Sequence, residues 1–126
     1  MVSVVIGIGS NCGDRKKNVL EAIEWLKKEL IQVESSDIYE TPCALKAGRP
    51  YLNAVVKGFY QGIGYDLEGL MKDKEREMGR TTDCKERGDV SIDLDIVIMD
   101  GEIVKDWDYR QRFFKIGYSQ IRNQEG

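Results

Sequence analysis

The sequence predicts an α+β fold with its elements in the order βαββαβ: an antiparallel four-stranded sheet with two helices on one face. Three observations lead there. Two segments carry apolar residues at helical spacing, four others are β-branched runs or alternate with strand period, and Gly- or Pro-containing turns separate them. Residues 2–8 are β-branched and apolar and read as a buried central strand. Gly9-Ser10-Asn11-Cys12-Gly13-Asp14 is a turn, and Asp14 is placed to cap the helix that follows. Val19, Ile23, Leu26 and Leu30 form that helix's apolar stripe, with Leu20 alongside. Residues 31–39 read as a more polar strand, and residues 41–50, with both prolines, as a loop. Residues 51–60 alternate as a third strand, with Tyr51, Asn53 and Val55 on one face.

Gly62 and Gly64 break that strand, and residues 66–78 form the second helix with Leu67, Leu70, Met71 and Met78 inward and Gly79 as its stop. Residues 81–89 are a charged loop. Residues 92–99 are the fourth strand, Asp100-Gly101 is a tight turn signal, and residues 102–104 return as a short edge strand. Past Lys105 no element is assigned: Trp107, Tyr109, Phe113, Phe114 and Tyr118 lie among Arg110, Arg112 and Lys115. This element order is the ferredoxin-like arrangement, a fold that hosts many functions and so implies none by itself.

The 126 residues suit a single domain over 1–126, large enough for one core. A 41% hydrophobic and 33% charged composition is that of a globular chain. The net charge of −3 argues against broad nucleic-acid binding, which leaves a basic footprint. No apolar run approaches the roughly 20 residues of a membrane span, and the first nine residues lack the marks of a signal peptide. Cys12, Cys43 and Cys84 show no C-x-x-C spacing and read as free thiols, so a cytoplasmic location is expected. The composition leaves the oligomeric state open. The chain has no histidine, which removes histidine-based triads and histidine-ligated zinc. Chemistry must come from carboxylates, Lys or Arg, hydroxyls and metals.

The fourth strand carries the strongest signal. Ile92, Leu94, Ile96 and Ile98 alternate onto one face, and Asp93 and Asp95 share the other, with Val97 and Met99 beyond. The helices are expected to cover the first face and leave the second open to ligands. Residues two apart on a strand are about 7 Å apart. Two carboxylates that close repel unless a cation joins them, and a strand disfavours Asp intrinsically. The pair suits a hard cation such as Mg²⁺, whose usual task is to serve nucleotide phosphates. Asn53 can both donate to and accept from the amide-like edge of a heterocycle. Gly9-Ser10-Asn11 joins the first strand to its helix. Glu75 to Arg80 leads into a loop with Lys85, Glu86 and Arg87 that could clamp a phosphate tail. Each feature alone also fits plain structure: a solvated strand face, a polar residue on an open sheet, turn chemistry, a surface loop.

Taken in order, these segments resemble the 6-hydroxymethyl-7,8-dihydropterin pyrophosphokinase family. The resemblance runs through Val5-Ile6-Gly7-Ile8-Gly9-Ser10-Asn11, Ser35-Ser36-Asp37-Ile38-Tyr39-Glu40-Thr41-Pro42, Tyr51-Leu52-Asn53-Ala54, Glu75-Arg76-Glu77-Met78-Gly79-Arg80 and Ile92-Asp93-Leu94-Asp95-Ile96. It implies transfer of pyrophosphate from MgATP to the hydroxymethyl group of a reduced pterin, with release of AMP, in folate biosynthesis. It implies two Mg²⁺ ions held between the ATP phosphates and Asp93 and Asp95. It implies a pterin pocket of Thr41, Pro42, Tyr51 and Asn53, with Phe114 (or its neighbour Phe113) stacking on the ring. Glu75, Arg80, Arg87, Ile96 and Arg112 are the expected ATP contacts, and Arg80 joins the two aspartates as a catalytic residue. No histidine is required, because such transfer depends on in-line positioning and charge neutralisation.

The chain also departs from the family pattern. Asp89-Val90-Ser91 stands where the family has Pro-Arg-Thr, so a phosphate-binding arginine is Val90. Thr82 takes a second arginine position and Arg87 an aromatic one. The segment after the fourth strand is shorter and lacks the family's histidine. Arg112-Phe113-Phe114 is what corresponds to the family's Arg-x-Phe. The resemblance therefore implies a divergent member, with weakened ATP contacts and activity. The alternative is a catalytically impaired homologue that binds pterin or nucleotide.

Overall fold

The computed structural model describes residues 1–43, 49–79 and 90–123, with side chains to residue 121. Among these residues the chain runs β1 (Val2–Ser10), α1 (Arg15–Glu29), β2 (Ile31–Ser35), β3 (Tyr39–Thr41), β4 (Tyr51–Tyr60), α2 (Gly64–Met78), β5 (Asp93–Met99), β6 (Glu102–Ile103), α3 (Asp106–Arg110) and α4 (Arg112–Asn123). The six strands form one antiparallel sheet ordered β2-β4-β1-β5-β6, with β3 paired to β4. The mixed α/β class and the antiparallel sheet are as expected; the sheet has six strands, against the expected four and a short edge strand.

The one extra strand has a local cause. The predicted single strand over 31–39 is split into β2 and β3 at Ser36. Its backbone N–H donates to the Val55 carbonyl at 2.8 Å, and its hydroxyl accepts from the Val55 N–H at 2.8 Å, so a side chain takes the place of a ladder bond. β6 returns through Asp100-Gly101, both at positive φ (49° and 80°), as the turn signal predicted.

The Asp14 carboxylate caps α1 by accepting from the Lys17 N–H at 3.1 Å. Val19, Ala22, Ile23 and Leu26 then bury against Val4, Ile6 and Ile8 of β1, joined by Leu67 and Met71 of α2. Full burial of each of these side chains other than Ala22 contributes on the order of 2 kcal/mol. α2 begins at Gly64, two residues earlier than expected, and Leu70 faces out at 37% exposure.

The opposite sheet face is not wholly open, as the sequence reading had it. Helix α4 covers half of it through Phe114 and Ile121, packed on Val55, Val97 and Ile98. A β-bulge explains why Ile98 is there. The β1–β5 register shifts between Val5 and Ile6, so Val97 is the extra residue and alternation reverses after it. Ile98 therefore joins the α4 side, and Met99 turns to the α1/α2 side. Cys12 corrects a second expectation: it is buried and disulfide-bonded, whereas Cys43 is a free thiol. Disulfide pairing depends on spatial approach, which cysteine spacing along the chain does not reveal. No helix among the described residues is long and apolar enough to cross a membrane.

Candidate active site

The uncovered half of the α4 face is a pocket lined by β1, β3, β4, β5 and the α3–α4 segment. Strand register builds its floor. Gly9 pairs with Asn53 on one side and Asp93 on the other; Gly7 likewise lies between Val55 and Asp95. Neighbouring strands are about 4.8 Å apart, so Asn53 and Asp93 stand roughly 10 Å apart on one face. The missing side chain at Gly9 matters here. A Cβ would meet the Tyr51 ring at 3.3 Å and the Asn53 amide oxygen at 3.6 Å, closing the floor between the two ends.

One end of the pocket is aromatic and amide-like. Tyr51, Trp107, Phe113 and Phe114 line it, together with Thr41, Pro42 and Cys43. Trp107 packs against Phe113 at 5.9 Å between centroids, and Phe114 stacks on Tyr118 at 5.3 Å. The Asn53 nitrogen donates to the Thr41 hydroxyl at 2.7 Å and, at 3.4 Å, to the carbonyls of Tyr39 and Tyr51. Its oxygen has no donor among the described residues and is the polar atom this end offers a ligand.

Two residues that the sequence reading did not single out hold α4 in place here. The Tyr39 hydroxyl donates to the Phe113 carbonyl and accepts from the Gly117 N–H at 3.0 Å. Burial pushes its pKa up to about 12. Gly117 permits the approach, because a Cβ there would lie 2.6 Å from Val55 and 2.8 Å from the Tyr39 hydroxyl. A glycine within an aromatic-rich helical stretch was the available signal.

The other end is acidic. Asp93 and Asp95 hydrogen-bond each other, and Glu75 reaches the same place from α2. Glu75 accepts from the Leu94 N–H at 2.7 Å and pairs with Lys72 at 3.3 Å, so it ties α2 to β5. Asp93 keeps solvent contact but sits on the floor of a concavity. Loss of surrounding water, then the charges of Asp95 and Glu75, push its pKa up to about 8. Burial alone would raise Asp95 too. Hydrogen bonds from Asp93 and from Lys105 outweigh it and hold Asp95 below the usual carboxylate range. The Lys105 ammonium lies 2.5 Å from Asp95. Asp108, also in the pocket lining, is raised by burial and by Asp95.

The donor chemistry fits a divalent cation: two carboxylates stand together on the pocket floor, and among the described residues the ion pair to either of them is that of Lys105 with Asp95. Among the described residues no cluster of three or more ligating side chains forms a complete metal cage. The protein would supply Asp93 and Asp95, with the remaining oxygens from water or substrate phosphates, the usual division for Mg²⁺.

Of the predicted residues, Thr41, Pro42, Tyr51, Asn53, Phe114, Asp93 and Asp95 line one pocket. Glu75 touches its acidic edge. Ile96 does not belong to it: its side chain is buried in the core under α1 and α2, on the opposite sheet face from Asp95. Arg112 is exposed at the start of α4, outside the pocket lining. Arg80 and Arg87 lie outside the described residues. Lys105, Trp107 and Asp108 were not among the predicted site residues. They follow β6, where the sequence pattern dissolves.

The model of the 7,8-dihydro-6-hydroxymethylpterin-pyrophosphokinase family matches residues 5–123. The chain is 34% identical over 110 residues to the 2-amino-4-hydroxy-6-hydroxymethyldihydropteridine pyrophosphokinase of Aquifex aeolicus, covering 83% of this chain and 66% of that protein. It is 35% identical over 104 residues to the Porphyromonas gingivalis protein of the same name, covering 78% and 69% respectively. It is 36% identical over 96 residues to a folate synthesis bifunctional protein of Arabidopsis thaliana, covering 75% of this chain but only 20% of that larger protein. Pocket, register and match agree over nearly the whole chain: it belongs to the 7,8-dihydro-6-hydroxymethylpterin-pyrophosphokinase family.

Proposed function

We propose that this chain transfers pyrophosphate from MgATP to 6-hydroxymethyl-7,8-dihydropterin and releases AMP, a step of folate biosynthesis. The observation that carries this reading is the two-ended pocket, with an amide oxygen and aromatic rings across Gly9 from a carboxylate pair. In it the pterin ring is held edge-on by Asn53, with Thr41 and Pro42 beside it, and is stacked by Tyr51 and the half-buried Phe113, with the buried Phe114 in the pocket wall. That places its hydroxymethyl group toward Asp93 and Asp95. The hydroxymethyl oxygen forms a bond to the β-phosphorus of ATP, and the bond from that phosphorus to the α,β-bridging oxygen breaks. AMP departs with the bridging oxygen, and the hydroxyl proton is released. Two Mg²⁺ ions, shared by the aspartates and the phosphates, would neutralise the charge that develops on the phosphates. Arg80, Arg87 and Arg112 are the proposed sources of further positive charge on the ATP side. The β2-β4-β1-β5 order with α1 and α2 on one face is read as a ferredoxin-like core, and a cytoplasmic location suits the reaction.

A second reading, a pterin- or nucleotide-binding homologue without turnover, draws on one observation. Val90 stands where the family resemblance expects a phosphate-binding arginine. Its backbone is stitched to Asn11, with the Asn11 oxygen accepting from its N–H at 2.7 Å and its carbonyl accepting from the Asn11 N–H at 3.0 Å. Position 90 is thus fixed by Asn11, three residues before Asp93, with no charge to offer. Incubation with MgATP and the dihydropterin, followed by mass spectrometry and ³¹P NMR, separates the two. Pterin diphosphate and AMP in equal amounts establish the transfer; pterin recovered unchanged, with no AMP above background, favours the binding protein.

A further inference from the structure

We propose that Lys105 is a resident counter-ion of the carboxylate pair, one that a divalent cation must displace in order to bind. This rests on the reading that Asp93 and Asp95 hold such a cation. The Lys105 ammonium donates to Asp95 Oδ1 at 2.5 Å, the shortest contact that either aspartate makes to a cation among the described residues. The surrounding charges are Asp93, Glu75 and Asp108, all acidic, and Lys72, which pairs with Glu75.

The backbone of Lys105 is anchored by the bulge. The Val97 carbonyl, turned by the bulge, accepts the N–H groups of Val104 at 2.9 Å and Lys105 at 3.3 Å. The Lys105 carbonyl in turn accepts from Tyr109 at 3.0 Å in the first turn of α3. A held backbone points a flexible side chain at Asp95, two residues before the bulge. That side chain is 40% exposed, against 14% for Asp95, so the ammonium can swing out while the carboxylate cannot follow.

A cation bridging the pair needs the same oxygen lone pairs that the ammonium occupies, and two cations at contact distance repel strongly. Binding therefore requires Lys105 to leave Asp95. Once released, its charge lies beside the place where substrate phosphates would sit. The consequence is a metal site weakened when empty of substrate and relieved when phosphates offer the ammonium another anion.

The test uses Mn²⁺ as the probe, with binding followed by the loss of its free electron paramagnetic resonance signal. Lys105→Met, which keeps length and removes charge, should bind Mn²⁺ about tenfold more tightly than the wild type, as expected for loss of one charge-assisted contact. Lys105→Arg should stay near the wild-type affinity, and Asp95→Asn should bind far more weakly. On the unaltered protein, saturating Mg²⁺ should raise acetylation of Lys105 by acetic anhydride severalfold, read by mass spectrometry, and leave exposed Lys28 unchanged. Unchanged or weaker Mn²⁺ binding by a folded Lys105→Met, or Lys105 labelling indifferent to Mg²⁺, overturns the proposal. If Asp95→Asn binds Mn²⁺ as well as the wild type does, the metal reading fails and takes the proposal with it. If Asp95→Asn loses binding while Lys105→Met matches the wild type, only the counter-ion role fails.

Discussion

The two ends of the pocket are built by different means. At the aromatic end the protein satisfies itself: the Asn53 nitrogen has three acceptors, Phe114 is buried in its own cluster, and the Tyr39 hydroxyl clamps α4 at two backbone atoms. One amide oxygen is left over for a ligand. At the acidic end Asp93, Asp95 and Asp108 surround Lys105, Glu75 stands beside Asp93, and Asp93 is driven to hold a proton near neutral pH. The first end is finished by folding, and the second is finished by what binds there. A single fold can therefore carry a rigid recognition surface and an electrostatically strained one about 10 Å apart, because strand register separates them.

Substitutions at the two ends should fail in different ways. The largest effect belongs to Asp95→Ala, which should lower pterin-dependent AMP release by about 10³-fold or more, since positioning and charge neutralisation supply most of such catalysis. Restoring charge at the acidic end should act in the other direction. Val90→Arg is expected to raise ATP affinity or turnover by roughly tenfold to a hundredfold, below the ~10²–10³-fold worth of a native transition-state contact because the new side chain is not held in place by its surroundings. Steady-state kinetics with ATP varied checks this, and unchanged constants would show that no clamp is missing at that position. Asn53→Ala should raise KM for the pterin by roughly 10- to 100-fold, because a site built around one polar atom loses that contact, and leave kcat within a few-fold.

The smallest effect is on stability. Asp93 has a raised carboxyl pKa, so between its ordinary value near 4 and about 8 the folded state binds more protons than the unfolded chain. Stability of the metal-free protein must therefore fall as pH rises through that window. Asp108 acts in the same direction. Asp95, shifted down, and Lys105, shifted up, titrate outside it. Because Asp93 keeps solvent contact, the drop in Tm from pH 5 to pH 8 should be only about 3–6 °C. Thermal melts should show this drop flattened in Asp93→Asn and reduced by millimolar Mg²⁺.

Much of this contrast was legible in the sequence wherever a residue's neighbours along the chain decide its face. Asp93 and Asp95 share a face because strands alternate. Asn53 could be placed there by the same count along its own strand, and Gly9 fell in the turn signal that ends β1. What was illegible depends on departures from alternation. The bulge at Val97 cannot be read from Ile96-Val97-Ile98, yet it reverses Ile98 and Met99 and turns the carbonyl that anchors Lys105. Helix α4 has Phe114, Gly117, Tyr118 and Ile121 at helical spacing. Gly117 and the interleaved basic residues hid that stripe, and with it the partner of the apolar half of the sheet face. Ile96, expected among the ATP contacts, has its side chain in the core, where its own parity on the strand puts it.

The separable duties of the two ends are tested most directly by initial rates of AMP release at saturating MgATP, with pterin varied, for Asp95→Ala and Asn53→Ala beside the wild type. The account predicts that Asn53→Ala regains nearly the wild-type maximum at high pterin, whereas Asp95→Ala releases no pterin-dependent AMP at any concentration. Pterin-dependent AMP release by Asp95→Ala near the wild-type rate, or an Asn53→Ala defect that pterin does not relieve, would contradict it.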